Sequence, residues 1–103
     1  MKFETTPAFD RDYRRLEPEH RRAFRLAVNE QFGPACDAQE VDPSAPWPAA
    51  LRVKPVRNAA GVLEMTWSFA GPDGRATFEL ITVDDDLRCL WRRVGDHAVF
   101  ERL

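Results

Sequence analysis

The chain has 103 residues, 44% of them hydrophobic and 31% charged, with a formal net charge of −2 and an isoelectric point near 5.7. That length suits one domain, 1–103, around one core, and the composition argues against global disorder and against a polycationic nucleic-acid binder. No apolar run reaches the roughly 18 residues that span a bilayer, and Met1-Lys2-Phe3-Glu4-Thr5-Thr6 lacks the apolar core of a signal peptide, so a cytoplasmic location away from any membrane is expected.

Taken in order, Lys2 to Thr5 reads as a short strand ending at Thr6-Pro7. Thr6 suits a helix N-cap, and Pro7 suits the first helical position, where its missing N–H costs nothing. Phe9, Tyr13 and Leu16 then recur at i, i+4 and i+7, the stripe of an amphipathic helix. Glu17-Pro18 breaks it and opens a second helix with Phe24, Ala27, Val28 and Phe32 on its apolar face, expected to end at Gly33-Pro34. A tight turn between them makes a helical hairpin. Residues 34–50, rich in proline and acids, read as a loop that is either functional or hides a short helix, with Trp47 tacking it to the core.

From Leu51 the period changes to two. Leu51 and Val53 alternate with Arg52 and Lys54, which predicts a strand with one apolar and one cationic face. After a turn at 58–61, Leu63, Met65, Trp67 and Phe69 alternate with Glu64, Thr66 and Ser68. Gly71-Pro72-Asp73-Gly74 marks a hairpin turn, Thr77 to Val83 returns as a strand, Asp84-Asp85-Asp86 turns again, and Leu87 to Val94 closes the sheet. The acidic triplet lacks the further oxygen ligands of a calcium loop and reads as a solvated turn. The predicted class is α+β: an N-terminal strand and helical hairpin packed on one face of a mainly antiparallel sheet of four to five strands, in the order β-α-α-β-β-β-β.

The charge is patterned. Arg11, Arg14, Arg15, Arg21, Arg22 and Arg25 crowd the helical hairpin, Glu30, Asp37, Glu40 and Asp42 form an acidic interval, and Arg52, Lys54 and Arg57 follow. Cys36 and Cys89 show no CxxC spacing and read as reduced small hydrophobes, with a disulfide or reactive thiol as the alternative. Nucleotide-binding glycine motifs, HExxH, zinc-spaced Cys/His clusters and a serine elbow are all absent. What remains is a set of strand cations and, past the last strand, His97 beside Asp96.

Such a set suits a phosphodiester. Cleaving RNA internally asks for a base on the 2′-OH, an acid on the leaving oxygen, and cations around a phosphorane-like transition state. Arginine supplies a planar donor fork, and histidine can move either proton. Arg52 and Lys54 share a strand face, Arg57 follows, and Arg92 or Arg93 joins from the last strand. Strand parity predicts those two arginines on opposite faces. The plainer reading of each cation is solvation and edge protection, and of His97 a cap on the tail.

The order of elements, the leading Phe3-x-x-Thr6-Pro7-x-Phe9, the cationic second strand and the closing Arg92-Arg93-Val94-Gly95-Asp96-His97-Ala98-Val99-Phe100 together resemble the RelE/ParE toxin superfamily, most closely its RelE-like branch with a C-terminal histidine. The resemblance implies the toxin of a type II toxin–antitoxin pair: a translation-inhibiting mRNA interferase that cuts mRNA on the ribosome without metal or cofactor. It also implies a cognate antitoxin forming a hetero-oligomer with it. Matched by position, Lys54 and Arg52 correspond to the second-strand cations, Arg93 or Arg92 to the last-strand arginine, and His97 to the tail histidine. The middle strand offers Glu64 where an arginine is common, which suits a carboxylate base, and Phe100 stands where a tyrosine is common. A ParE-like inhibitor of DNA gyrase without catalysis is the alternative on the same fold.

Overall fold

The computed structural model describes residues 1–67 and 74–95. Strand β1 (Lys2–Thr5) runs into helix α1 (Pro7–Arg15), and helix α2 (Pro18–Ala27) follows. A π turn (Val28–Phe32) leads directly into helix α3 (Gly33–Val41), and a 3₁₀ turn (Ala49–Leu51) precedes β2 (Lys54–Pro55), β3 (Leu63–Trp67), β4 (Gly74–Val83) and β5 (Asp86–Gly95). The fold is α+β. Its five strands form one mixed sheet in the order β1-β5-β4-β3-β2, with β1 parallel to β5 and the other pairs antiparallel. No helix among the described residues is long and apolar enough to cross a membrane.

Thr6 does three jobs where β1 gives way to α1. Its N–H donates to Trp91 O at 3.0 Å, extending the β1–β5 pairing by one step. Its Oγ1 accepts from Phe9 N–H at 3.1 Å as the predicted N-cap, and the same hydroxyl donates to Arg92 O at 2.8 Å. Nearly two turns later Asp12, buried within α1, reaches the same strand. Its carboxylate takes both Nε and Nη2 of Arg93, at 2.6 and 3.1 Å, and the backbone N–H of Val94 at 3.2 Å. Helix α1 thus covers the edge of β5 that β1 is too short to pair.

The second helix does not end at Gly33-Pro34 as the sequence predicts; the chain stays helical to Val41. Proline removes an amide donor and crowds the preceding turn, which ordinarily breaks a helix. Here the break is absorbed by a wider turn, in which Gly33 N–H bonds Val28 O, five residues back. A Cβ at Gly33 would stand 3.0 Å from that carbonyl, so glycine is what permits the close approach. The wide turn also corrects phase. Phe24, Val28, Phe32 and Cys36 are spaced by four, and on an ideal helix each step would drift by about 40°. The extra residue in the turn takes most of that drift back, so Phe24, Phe32 and Cys36 all reach the core.

That core lies between the helices and one sheet face. Phe24 meets Trp67 and Trp91 edge-on at 5.0 and 5.3 Å between ring centroids, and Phe32 meets Phe78 at 4.9 Å and Trp91 at 4.8 Å. Trp47 stacks on Phe32 at 5.6 Å, fastening the loop as expected. The acidic hairpin after Val83 closes through Asp84 and Asp85, with φ of 52° and 67°, the two-residue turn that follows strand twist.

Asp12→Ala is expected to cost about 2–4 kcal/mol, because it orphans a buried strand amide and removes the carboxylate that holds Arg93. Asp12→Asn, which keeps one acceptor for Val94, should cost about half as much. Urea unfolding of the three proteins checks both the sign and the order.

Candidate functional site

On β3 and β4, side chains alternate between the helical face and the outer face of the sheet. Met65, Trp67, Ala76 and Phe78 enter the core, so Glu64, Thr66, Arg75, Thr77 and Glu79 project outward. Register then sets up a polar row across four strands: Lys54 opposite Glu64, Glu64 opposite Thr77, and Thr77 opposite Arg93. Glu64 is its centre. Though on the outer face, it is only 8% exposed, and its Oε1 lies 3.3 Å from Lys54 Nζ and 3.5 Å from Arg75 Nη1. Thr66 and Thr77 beside it are also buried, and the Thr77 hydroxyl has no hydrogen-bond partner among the described residues.

The predicted cations are sorted by this geometry. Lys54 belongs to the row and keeps its amine well exposed. Arg52 does not share a strand face with it. Residues 49–52 form local bonds instead, Leu51 N–H to Pro48 O and Arg52 N–H to Ala49 O, and Arg52 sits in the left-handed region with φ 47°. Pro55, which has no N–H, further confines β2 to two residues at the sheet edge. Arg57 is exposed in the turn after β2.

Nor are Arg92 and Arg93 on opposite faces. A bulge pairs Thr77 with Arg93 but Phe78 with Trp91, so Arg92 is an extra residue and strict alternation lapses. Trp91 and Val94 both face the core, and both arginines between them leave it. Their partners differ. Arg92 Nη1 pairs with Glu79 Oε2 on the outer face at 3.0 Å, whereas Arg93 is held by Asp12 of α1, whose carboxylate raises the guanidinium above its ordinary pKa. A hollow bordered by Thr6, Ala8, Arg92 and Arg93 opens at the start of α1. His97, with Asp96 and Phe100, lies outside the described residues.

Sequence reading missed two members. Arg75 was excluded by starting the fourth strand at Thr77, although Ala76 and Phe78 carry the alternation back through Gly74. Asp12, between Phe9 and Tyr13, sits on the flank of the apolar stripe, where a buried carboxylate leaves no pattern. Among the described residues, the side chains grouped closely enough for a metal are Glu17, Glu19 and His20, partly exposed at the start of α2, where the helix dipole opposes a cation.

The outer face therefore combines a nearly enclosed carboxylate with an amine and a guanidinium on either side. Chemically, that is a proton acceptor flanked by groups that bind phosphate oxygens. Each of these cations has a carboxylate beside it: Lys54 and Arg75 share Glu64, Arg92 has Glu79, and Arg93 has Asp12 of α1. Comparison with known protein families, curated proteins and solved structures found no match for the chain.

Exposure decides what the two Glu64 pairs contribute. Lys54 is 63% exposed at its side chain and Arg75 21%. A double-mutant cycle on unfolding free energy is expected to give a Lys54–Glu64 coupling below about 1 kcal/mol and an Arg75–Glu64 coupling above it, near 1–2 kcal/mol. Equal couplings would contradict this assignment of the stronger partner.

Proposed function

We propose that the protein is the toxin of a type II toxin–antitoxin pair, an endoribonuclease that cuts mRNA on the ribosome and so blocks translation. The observation that carries this reading is the Lys54–Glu64–Arg75 cluster on the outer sheet face, a carboxylate between two cations. The α+β fold, with β1 and the helices preceding four consecutive strands, and the sequence resemblance to RelE-like toxins support the same reading. In this reading Glu64 accepts the 2′-OH proton, and Lys54 and Arg75 hold the phosphate as charge builds on its oxygens. Arg92, bound to Glu79, and Arg93 border the path of the RNA backbone, Arg52 and Arg57 meet flanking phosphates, and His97 protonates the leaving 5′ oxygen. A small acidic and apolar antitoxin is the partner that would neutralise the cations.

The reading is tested by adding the protein to translating ribosomes and mapping new mRNA 5′ ends. Glu64→Gln and Arg75→Ala should each lower the cleavage rate by about 10²–10³-fold, and His97→Ala by about 10²–10⁴-fold. Intact mRNA with folded wild-type protein would sink the proposal.

One observation favours the second reading, a ParE-like gyrase inhibitor: Lys54, Arg92 and Arg93 each have a carboxylate partner already, as a binding surface needs and a phosphate site does not. Loss of DNA supercoiling with untouched mRNA would favour it.

A further inference from the structure

Strand β1 stands at one end of the sheet. On one side β5 pairs with it, and among the described residues no strand pairs with the other. Its four residues, Lys2–Thr5, are all exposed. The bond from Thr6 N–H to Trp91 O fixes the phase, because backbone groups point to alternate sides along a strand. Lys2, Glu4 and Thr6 therefore turn their backbone groups toward β5, and Phe3 and Thr5 turn theirs to the free edge. Phe3 lies on the helical face, against Phe32 and Trp91, yet remains 42% exposed. Lys2 and Glu4 lie on the outer face, where Glu4 pairs with Arg88 at 3.2 Å. The opposite end of the sheet is blunted by Pro55 of β2. Strand β1 has no proline, and its two charges are of opposite sign.

We propose that β1 is a self-association edge: two copies of the chain pair their β1 strands antiparallel about a two-fold axis at Phe3, joining two five-stranded sheets into one. The occupant is a second copy because the edge is complementary to itself. Antiparallel strands bond where outward-facing groups meet, so Phe3 and Thr5 must face Met1, Phe3 or Thr5 of the other copy. Centring the pairing on Lys2 or on Glu4 sets like charges directly opposite, which is destabilising. Centring it on Phe3 sets Lys2 of each copy opposite Glu4 of the other. Charge and backbone phase select the same register.

In that register the two Phe3 residues exchange both backbone bonds, and each Thr5 N–H donates to the Met1 carbonyl of the other copy. The Lys2–Glu4 pairs fall at non-hydrogen-bonded positions, where side chains across an antiparallel pair approach most closely. Glu4 then sits between Arg88 of its own chain and Lys2 of the second. On the helical face the two Phe3 rings meet and cover each other's exposed surface. The interface is isologous, so it closes as a dimer and does not propagate. Four residues a side make a small contact, and a dissociation constant on the order of 100 µM is expected.

The test is sedimentation equilibrium of the untagged chain from about 10 µM to about 2 mM, with amide hydrogen exchange measured at both ends of that range. The mass is expected to rise from 11.8 kDa toward twice that value. Exchange at Phe3 and Thr5 should slow several-fold with concentration, while Glu4, already bonded to β5, should not change. Lys2→Glu and Glu4→Lys should each be monomeric alone, since each sets like charges opposite. An equimolar mixture of the two should associate, because one variant then presents two acids and the other two lysines. A chain that stays at 11.8 kDa throughout leaves the edge to a strand of another protein and overturns the proposal. So does a dimer whose Phe3 and Thr5 amides exchange as in the monomer, or one that persists in each variant alone. The exchange pattern needs only the wild-type chain, should either variant fail to fold.

Discussion

The contact on which the rest of this structure depends is Asp12 with Arg93 and the Val94 amide. Strand β1 pairs with β5 over four positions, Lys2 to Thr5, and then stops. Beyond Trp91 the edge of β5 would expose amide and carbonyl groups, a cost and an aggregation hazard. Thr6 and Asp12 take over that edge from a helix. In doing so they fix where α1 starts, how it lies along the strand, and therefore where the turn at Leu16-Glu17 delivers α2. Arg21 tightens that turn by donating to Leu16 O at 2.7 Å and Arg14 O at 3.3 Å.

The Asp12 contact orients the helices, but it does not by itself hold them. A buried ion pair returns little net energy, since desolvation offsets most of the attraction, and its loss is costly mainly because it strands a charge. Phe24, Phe32, Trp67, Phe78 and Trp91 are each at least 95% buried. Aromatic side chains bury about 150–250 Å² each, or roughly 4–6 kcal/mol apiece as an upper bound at about 25 cal/mol per Å². The core therefore supplies the energy and the polar edge supplies the direction. The π turn links the two, because without its rephasing Phe32 would rotate away from Trp91 and Cys36 out of the core.

Local rules made much of this fold legible. Thr6-Pro7 announced α1, the Phe9, Tyr13, Leu16 spacing its buried face, the alternation at Leu63–Trp67 the third strand, and Asp84-Asp85 the hairpin. What could not be read was decided by contacts distant in sequence. Helix continuation through Gly33-Pro34 looks forbidden locally and is rescued by a turn type that the residues do not advertise. The bulge that releases both Arg92 and Arg93 from the core exists only in the pairing of β5 with β4. Arg52 looked like half of a strand face, yet a 3₁₀ turn satisfied its backbone first. Of the site, Lys54 and Glu64 were visible as residues but their ion pair was not; Arg75 was visible only by extending a periodicity two residues.

The balance of charge on the outer face bears on how the proposed reaction would run. At rest Lys54 and Arg75 both face Glu64, so they add little net attraction for a phosphate. An interaction accelerates a reaction only if it is stronger in the transition state than before it. In the proposed reaction, proton transfer to Glu64 would supply that difference. As the carboxylate takes the 2′-OH proton its negative charge disappears, and the two cations lose their resting partner. The phosphorane gains negative charge at the same moment, on atoms beside the oxygen that gave up the proton. Lys54 and Arg75 would then turn from the carboxyl to the phosphate, Arg75 from a largely buried position and Lys54 from an exposed one. In a largely buried setting that exchange is stronger than between exposed groups, which gives a physical reason for Glu64 to be enclosed on a face that could have been open. The burial of Glu64, more than the number of cations around it, is therefore the feature on which the proposed reaction would depend.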